Sequence, residues 1–216
     1  MIMDDSVQHA RALYIDLEWT CWDGPPPPGM TQEIIEIGVA EMDLITLEIT
    51  KDASHFVRPR RWDISPKCTQ LTGITRKNIL TARPLADVLT DLSQEFRPRS
   101  VPCCSWGEDI PVLAKTCASM KLDNPFRMPI DLCKVFQSVF ALKQQPGLSA
   151  AIKMLGLEFD GFPHGALSDA RNAARVHASI LRWTRQETDR TDDRVVEQKE
   201  VAPLSPFAQK LAESFK

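Results

Sequence analysis

Three apolar runs near the start of the chain predict β-strands. They cover residues 12–18, 34–39 and 47–57, and each carries polar residues at its ends or at alternate positions. The short connections between the runs favour an antiparallel meander. The segment 19–30 is different, because its four consecutive prolines, residues 25–28, cannot join a strand ladder and so predict a stiff loop.

The rest of the chain follows a helical period. Residues 84–96 place Leu85, Val88, Leu89, Leu92 and Phe96 on one stripe, as in a helix packed on a core. Short strands are predicted at 101–105 and near Ile130. The other predicted helices cover 109–120, 131–142, 148–155 and 168–186, with a further one capped by Ser65 and Pro66 and ending at Gly73. The pattern therefore predicts an α/β fold, in which an antiparallel meander is followed by parallel strands and helices pack on both faces of the mixed sheet.

The length of 216 residues suits one domain, predicted over residues 11–187. Residues 1–10 are expected to form a polar extension, and 188–216 a charged tail with a short helix starting at Ser205 and Pro206. The highly charged run after Gln186 predicts poor order. No apolar run approaches the ~20 residues of a membrane helix, and no signal-peptide pattern is present.

Charge and cysteine content narrow the function classes. The net charge of −3 excludes a protein that coats nucleic acid through a general positive field, so any basic surface must be local. The six cysteines contain no C-x-x-C pair and no zinc-binding spacing. We expect free thiols and a cytoplasmic protein without a membrane association.

Two carboxylates mark the end of the first strand. Asp16 and Glu18 are two residues apart, so their side chains point to the same face. Buried together they repel each other unless a cation neutralises them, and Mg²⁺ or Mn²⁺ takes such oxygen ligands. The alternative is a strand end that reaches water.

Two further segments carry similar chemistry. His164 and Asp169 stand just before and inside the start of a predicted helix, where a neutral histidine could serve as a general base. Asp109 follows a strand end and opens another helix. For both aspartates the alternative is a helix-capping role, with His164 an incidental surface residue.

The order D-x-E, then D, then H-x-x-x-x-D resembles the DEDDh group of 3′-to-5′ exonucleases, which have a ribonuclease-H-like fold. Several longer runs are similar to the Eri-type and KapD-like exoribonuclease branch of that group. They are LEWTCW at 17–22, EIIEIG at 33–38, FVRP at 56–59, CTQLTGI at 68–74, IDL at 130–132 and HGALSDARN at 164–172. The resemblance covers residues 12–181.

The resemblance implies a metal-dependent removal of nucleotides from the 3′ end of single-stranded RNA, releasing nucleoside 5′-monophosphates. Two Mg²⁺ (or Mn²⁺) ions would bracket the scissile phosphate, held jointly by Asp16 and Asp169. Glu18 would share a metal and lie near the terminal ribose, and Asp109 would act on the second metal through water. His164 would take the proton from the attacking water.

Two positions depart from the family pattern. Many members of the branch have two residues between the S-W-G triplet and the aspartate, but here Glu108 alone separates Gly107 from Asp109. Either Asp109 is the fourth acid or Glu108 takes that role; the helical register favours Asp109. Gly165 replaces the usual basic residue after the histidine, which removes one expected phosphate contact.

Other residues are candidates for contact with the substrate. Thr20 matches a family position at the substrate end, and Trp22 and Trp106 could stack the terminal base, although either indole could instead be core. Trp19 and His177 are predicted to pack in the core. Local phosphate contacts could come from a basic set that could equally be a solvated face: Arg58, Arg60, Arg61, Lys67, Arg97 and Arg99.

Two other functions remain open. The same fold and chemistry could act on single-stranded DNA or short oligonucleotides, because the sequence does not show how a ribose 2′-hydroxyl is recognised. A catalytically silent nucleic-acid-binding protein is the third possibility, but the complete set of acids and histidine argues against it. Protein partners are not predicted.

Overall fold

The computed structural model describes residues 10–60 and 64–192, with side chains described up to Gln186. The predicted N-terminal extension before Ala10, the predicted helix at Ser205 and the candidate phosphate contact Arg61 lie outside these ranges. None of the described helices is both long and apolar enough to cross a membrane. All six cysteines are free thiols.

One five-stranded sheet forms the centre of the molecule, in the order β3-β2-β1-β4-β5. The first three strands are an antiparallel meander, and β4 and β5 run parallel to β1. This confirms the predicted mixed sheet. The strands are β1 (Arg11–Trp19), β2 (Ile34–Asp43), β3 (Ile49–Phe56), β4 (Pro102–Ser105) and β5 (Met128–Asp131).

Seven α-helices surround the sheet in the described part of the chain. They are α1 (Pro66–Thr72), α2 (Arg76–Leu80), α3 (Leu85–Phe96), α4 (Asp109–Met120), α5 (Leu132–Val139), α6 (Leu148–Met154) and α7 (Ala166–Asp192). The predicted cap of α1 is confirmed, since Ser65 accepts the N–H of Cys68 and Gly73 ends the helix at φ 74°. Helix α2 was not predicted, because one turn is too short to show an apolar stripe.

Some boundaries differ from the predictions. The predicted third strand begins at Ile49 instead of Leu47, because Asp43 Oδ1 accepts the N–H groups of Ile45 and Thr46 and holds a turn there. Helix α7 begins at Ala166 instead of Ser168. Its backbone also continues to Asp192, beyond the predicted end at Gln186.

The two faces of β1 serve different layers. Leu13, Ile15 and Leu17 pack against α3 and α4 in one core, with Trp19 at its margin. Ala12 and Tyr14 face α7 on the other side. Helices therefore cover both faces, as predicted, and Trp19 packs against the core as expected.

His177 of α7 is a core histidine, as predicted. Its Nδ1 lies 2.7 Å from the hydroxyl of the buried Tyr14, and burial lowers the pKa of the imidazole. The uncharged ring and its hydroxyl partner bind α7 to the middle of β1.

Candidate active site

The acids of the predicted site meet at the end of the sheet where β1 and β4 finish. Asp16 and Glu18 project from β1 toward the α7 side, and Asp109 is the first residue of α4. Asp109 Oδ1 accepts the N–H of Leu17 at 3.3 Å, the residue between the two strand acids. The Asp109 side chain is only 5% exposed, and this bond satisfies one of its buried carboxylate oxygens.

Glu108 has a different environment from its neighbour. Its side chain is 69% exposed and forms an ion pair with Lys134 at 3.7 Å. The structure therefore brings Asp109, and not Glu108, into the acid cluster, in agreement with the preferred register of the sequence.

The loop before α7 brings His164 and Asp169 to the same place. His164 has a φ of 64°, and its backbone N–H donates to Asp169 Oδ2 at 3.3 Å. One potential ligand atom from each of Glu18, His164 and Asp169 lies within 4.8 Å of the others. The left-handed backbone at His164 turns the loop so that histidine and aspartate converge on the strand acid.

The electrostatics of the cluster oppose full ionisation. Burial raises the pKa of Asp16 well above its usual range, and repulsion from Asp109 and Asp169 adds to this. Burial, followed by repulsion from Asp169, raises the pKa of Glu18 to about 8. Burial raises the pKa of Asp109 to about 7, although the N–H of Leu17 opposes the shift.

Asp169 is shifted less than Glu18 or Asp109. Burial raises its pKa to about 6, while the donated N–H of His164 lowers it. Its other carboxylate oxygen, Oδ1, is buried and has no hydrogen-bond partner among the described residues. An uncompensated carboxylate oxygen facing several other acids fits a hard divalent cation. The residues present therefore suit a metal site.

A fifth acid, Glu36, adjoins the cluster and was not among the predicted site residues. It lies opposite Glu18 in the β1–β2 register and is 8% exposed. It accepts the Ser54 hydroxyl at 2.5 Å and the N–H of Ala166 at 3.2 Å. The second bond holds the first residue of α7 against the sheet. Glu36 belongs to the run at 33–38, which is one of the motifs of the family resemblance. That motif did not identify Glu36 as a residue of the site.

The predicted substrate-binding residues have mixed environments. Thr20 is 1% exposed, and its hydroxyl accepts the N–H of Glu33 at 2.9 Å. Trp106 packs edge-on to Phe136, and its indole N–H donates to the carbonyl of Pro146 at 3.0 Å. Much of the indole ring is therefore packed against the core. Trp22 is half-buried in the proline-rich loop.

Phe162 is an aromatic residue that sequence reasoning missed. It stands two residues before His164 and is 84% exposed. A single sequence cannot distinguish an exposed phenylalanine from a buried one, so no signal marked it.

The structure divides the basic candidates into separate groups. Arg97 and Arg99 follow the C-terminal end of α3, where the carbonyl of Phe96 meets Arg11 at the start of β1, far from the acid cluster. Arg99 is also paired with Asp123. These two are therefore a solvated face. Arg58 and Arg60 instead lie beyond the end of β3, at the same end of the sheet as the acids. Lys67 is half-buried near the start of α1.

Comparisons with known proteins agree with this fold. A model of the RNase_T exonuclease family matches residues 13–177. Human 3′-5′ exoribonuclease 1 is 29% identical over 180 residues, which cover 77% of this chain and 51% of the human protein. The zebrafish (Danio rerio) ERI1 exoribonuclease 2 is 31% identical over 194 residues, covering 78% and 34%. The chain thus spans about half the length of the human relative.

A solved nuclease structure has the same fold. The nuclease domain of 3′hExo, a DEDDh family member determined with bound rAMP, superposes with a TM-score of 0.73 at 28% identity. The match covers 83% of this chain and 94% of that domain.

The ribonuclease-H-like sheet with its cluster of four acids and a histidine defines the DEDDh class of nuclease folds. The chain belongs to the RNase_T exonuclease family. The names of its relatives confirm the predicted Eri-type branch. Proteins of this class use divalent metal ions, in keeping with the candidate metal site.

Proposed function

We propose that the protein is a metal-dependent 3′-to-5′ exoribonuclease that shortens single-stranded RNA and releases nucleoside 5′-monophosphates. The observation that carries this proposal is the convergence of Asp16, Glu18, Asp109, His164 and Asp169 at one end of the sheet. The names of the relatives, which include exoribonucleases, favour RNA as the substrate.

The four acids would hold two Mg²⁺ (or Mn²⁺) ions. Asp16 and Asp169 are the proposed shared ligands, with Glu18 on one side and Asp109 on the other. Bound ions of this kind neutralise charge on the phosphate and lower the pKa of an attacking water. The raised pKa values of the clustered acids support the assignment, because carboxylates that resist joint ionisation are the ones a cation would stabilise most.

His164 is the proposed general base. Its place in an accessible loop beside Asp169 lets the imidazole accept the proton of the water that attacks phosphorus. The bond from phosphorus to the 3′ oxygen of the preceding nucleotide then breaks, and that oxygen is protonated from solvent. The left-handed backbone of His164, fixed by the bond to Asp169, holds the base in position before the substrate arrives.

Contacts with the terminal nucleotide are assigned to residues around this cluster. Trp22 and the exposed part of Trp106 are proposed to stack the terminal base, which is worth ~1–3 kcal/mol per base. Thr20 is proposed to act at the substrate end through the loop that its hydroxyl holds. Phe162 offers an exposed ring beside His164 for the same purpose.

The same site would also hydrolyse single-stranded DNA unless a group reads the 2′-hydroxyl. This is the second candidate function, because the clustered carboxylates act on the phosphate that both polymers share. A cytoplasmic location remains a prediction of the sequence.

Digestion of 5′-labelled single-stranded RNA and the matched DNA tests the proposal. Each is incubated with Mg²⁺, Mn²⁺ or EDTA, using the natural protein and the Asp16→Ala variant. We expect a metal-dependent ladder that shortens from the 3′ end, runs faster on RNA and is lost in the variant. Equal rates on both polymers would contradict the RNA preference, and no shortening of either would contradict the nuclease.

A further inference from the structure

A groove of about 1000 Å³ opens at the end of the sheet that carries the acid cluster, but on the α3–α4 side. Four segments line it. They are the residues that lead into β2, the residues that follow β3, the start of α3 and one side of α4. Its walls combine half-buried apolar groups such as Val112 and Met120 with the hydroxyls of Thr31, Thr116 and Ser119.

The lining of the groove carries three cations and one acid. Arg58 and Arg60 line it on one side and Lys115 on the other, and all three are exposed. Within residues 10–60 and 64–186, none of these three side chains forms an ion pair. Glu33 is the acidic residue of the lining, and its carboxylate accepts the backbone N–H of Arg60.

Some other arginines of the described chain pair with acids. Arg83 pairs with Asp87 and Asp91, and Arg171 pairs with Asp52. In a chain of net charge −3, the three cations of the groove against the single acid Glu33 in its lining give this concavity a local positive field. Such a field attracts a polyanion, and the apolar walls give bases and sugars a surface to pack against.

Two elements link the groove to the acid cluster, which lies on the opposite face of the sheet. Val112, which lines it, is one helical turn beyond Asp109 in α4. Glu33, which also lines it, exchanges two hydrogen bonds with Thr20, two residues beyond Glu18. The groove and the cluster therefore share this end of the sheet, and an RNA chain would pass around it from one face to the other.

We propose that this groove binds the sugar–phosphate backbone of the single-stranded segment just 5′ of the nucleotide being removed. The proposal rests on the proposed function, since an enzyme that removes the 3′-terminal nucleotide has polymer on the 5′ side of its site alone. Arg58 and Lys115 bind phosphates from opposite walls, and Arg60 binds a third. Because cations recognise phosphate and not the 2′-hydroxyl, the groove sets binding strength and footprint rather than the choice between RNA and DNA.

Binding in EDTA tests the groove without turnover. Fluorescence anisotropy measures the Kd of 5′-labelled oligouridylates of about 3 and about 12 nucleotides over a series of salt concentrations. The groove variant is the double substitution Arg58→Gln and Lys115→Gln. The matched control is Lys153→Gln with Arg182→Gln, which removes the same charge from exposed positions on α6 and α7.

We expect the groove variant to bind the longer RNA roughly tenfold more weakly at ~0.1 M salt than the control, with a much smaller change for the trinucleotide. The slope of log Kd against log salt should fall by about 0.7 for each phosphate that the variant no longer neutralises. Equal affinities and slopes for the groove variant and the control would overturn the proposal.

The same preparations separate this proposal from the proposed function. If the natural protein trims RNA with Mg²⁺ while the groove and control variants bind RNA equally well, the proposed role of the groove is wrong and the proposed nuclease function is supported. If no trimming occurs but RNA binding depends on the groove residues, the proposed nuclease function is wrong and the groove is a nucleic-acid-binding surface.

Discussion

Gly38 in β2 touches the first turn of α7 with no space between them. A Cβ at Gly38 would lie 2.2 Å from the carbonyl carbon of Ala166 and 2.4 Å from the backbone nitrogen of Leu167. Gly38 also pairs with Asp16 in the sheet register. The absent side chain therefore sets how closely the helix that carries Asp169 approaches the strand that carries Asp16.

Replacing Gly38 with alanine should displace α7 from the sheet. The new Cβ meets backbone and not a flexible side chain, so we expect a loss of about 1–3 kcal/mol in the free energy of unfolding. The shift would also weaken the bond from Ala166 to Glu36 and separate Asp169 from Asp16, so kcat should fall at least tenfold. Chemical denaturation and RNA trimming measure the two effects.

Gly147→Ala is the matched control, because nothing lies within 4 Å of a Cβ at that position and its φ is −65°. It should leave kcat unchanged. If Gly38→Ala kept full activity and stability, the close approach would not position the acids.

Asp109 and Glu108 should respond differently to loss of charge. Asp109→Asn removes a buried acid of the cluster, so we expect kcat to fall by about 10–10²-fold, the typical effect of losing a group that supports a metal through another ligand. Glu108→Gln loses an exposed ion pair with Lys134 and should change kcat little. Single-turnover trimming of labelled RNA gives both values, and the reverse ranking would assign the fourth acid to Glu108.

His164→Ala should separate catalysis from metal binding. We expect kcat to fall ~10²–10⁴-fold through loss of the general base, while the affinity for Mn²⁺ stays close to that of the natural protein. Isothermal titration with Mn²⁺ and trimming assays are run on the same samples. A parallel loss of Mn²⁺ affinity would instead make His164 a ligand, which its approach to Glu18 and Asp169 also allows.

The stability of the metal-free protein should fall as the pH rises. Folding raises the pKa of Glu18 to about 8, Asp109 to about 7 and Asp169 to about 6, compared with about 4 in the unfolded chain. Acids with raised pKa stabilise the fold fully below pH ~4, and this contribution is lost as the pH rises through the folded values.

Thermal unfolding in EDTA between pH 5.5 and 8.5 measures this loss, with each kcal/mol lowering the Tm by about 2–4 °C. Adding Mg²⁺ at the high pH should restore the Tm, and the variant Glu18→Gln should depend less on pH. A Tm of the metal-free protein that rose over this range would contradict the repulsion within the cluster.

Parts of the site followed from local rules. Strand parity places Asp16 and Glu18 on one face, and the apolar stripe of 109–120 identifies a helix that opens at Asp109. Glu36 could not be identified in this way, because its role depends on a bond to a residue 130 positions later in the chain. The same bond sets the true start of α7. The sequence likewise does not show which arginines form ion pairs, because this depends on the acids that the fold brings near. Arg99, for example, pairs with Asp123.

The two hydrogen bonds between Thr20 and Glu33 close the base of the proline-rich loop immediately beyond Glu18. The carbonyl of Cys21 is also held by the Ser65 hydroxyl. The spacing of the acids therefore does not depend on the length or composition of the loop between Thr20 and Glu33. Insertions or a fluorescent label near Gly24 should leave the chemistry intact while changing which RNA ends can approach, so this loop is a place where substrate range can diverge independently of catalysis.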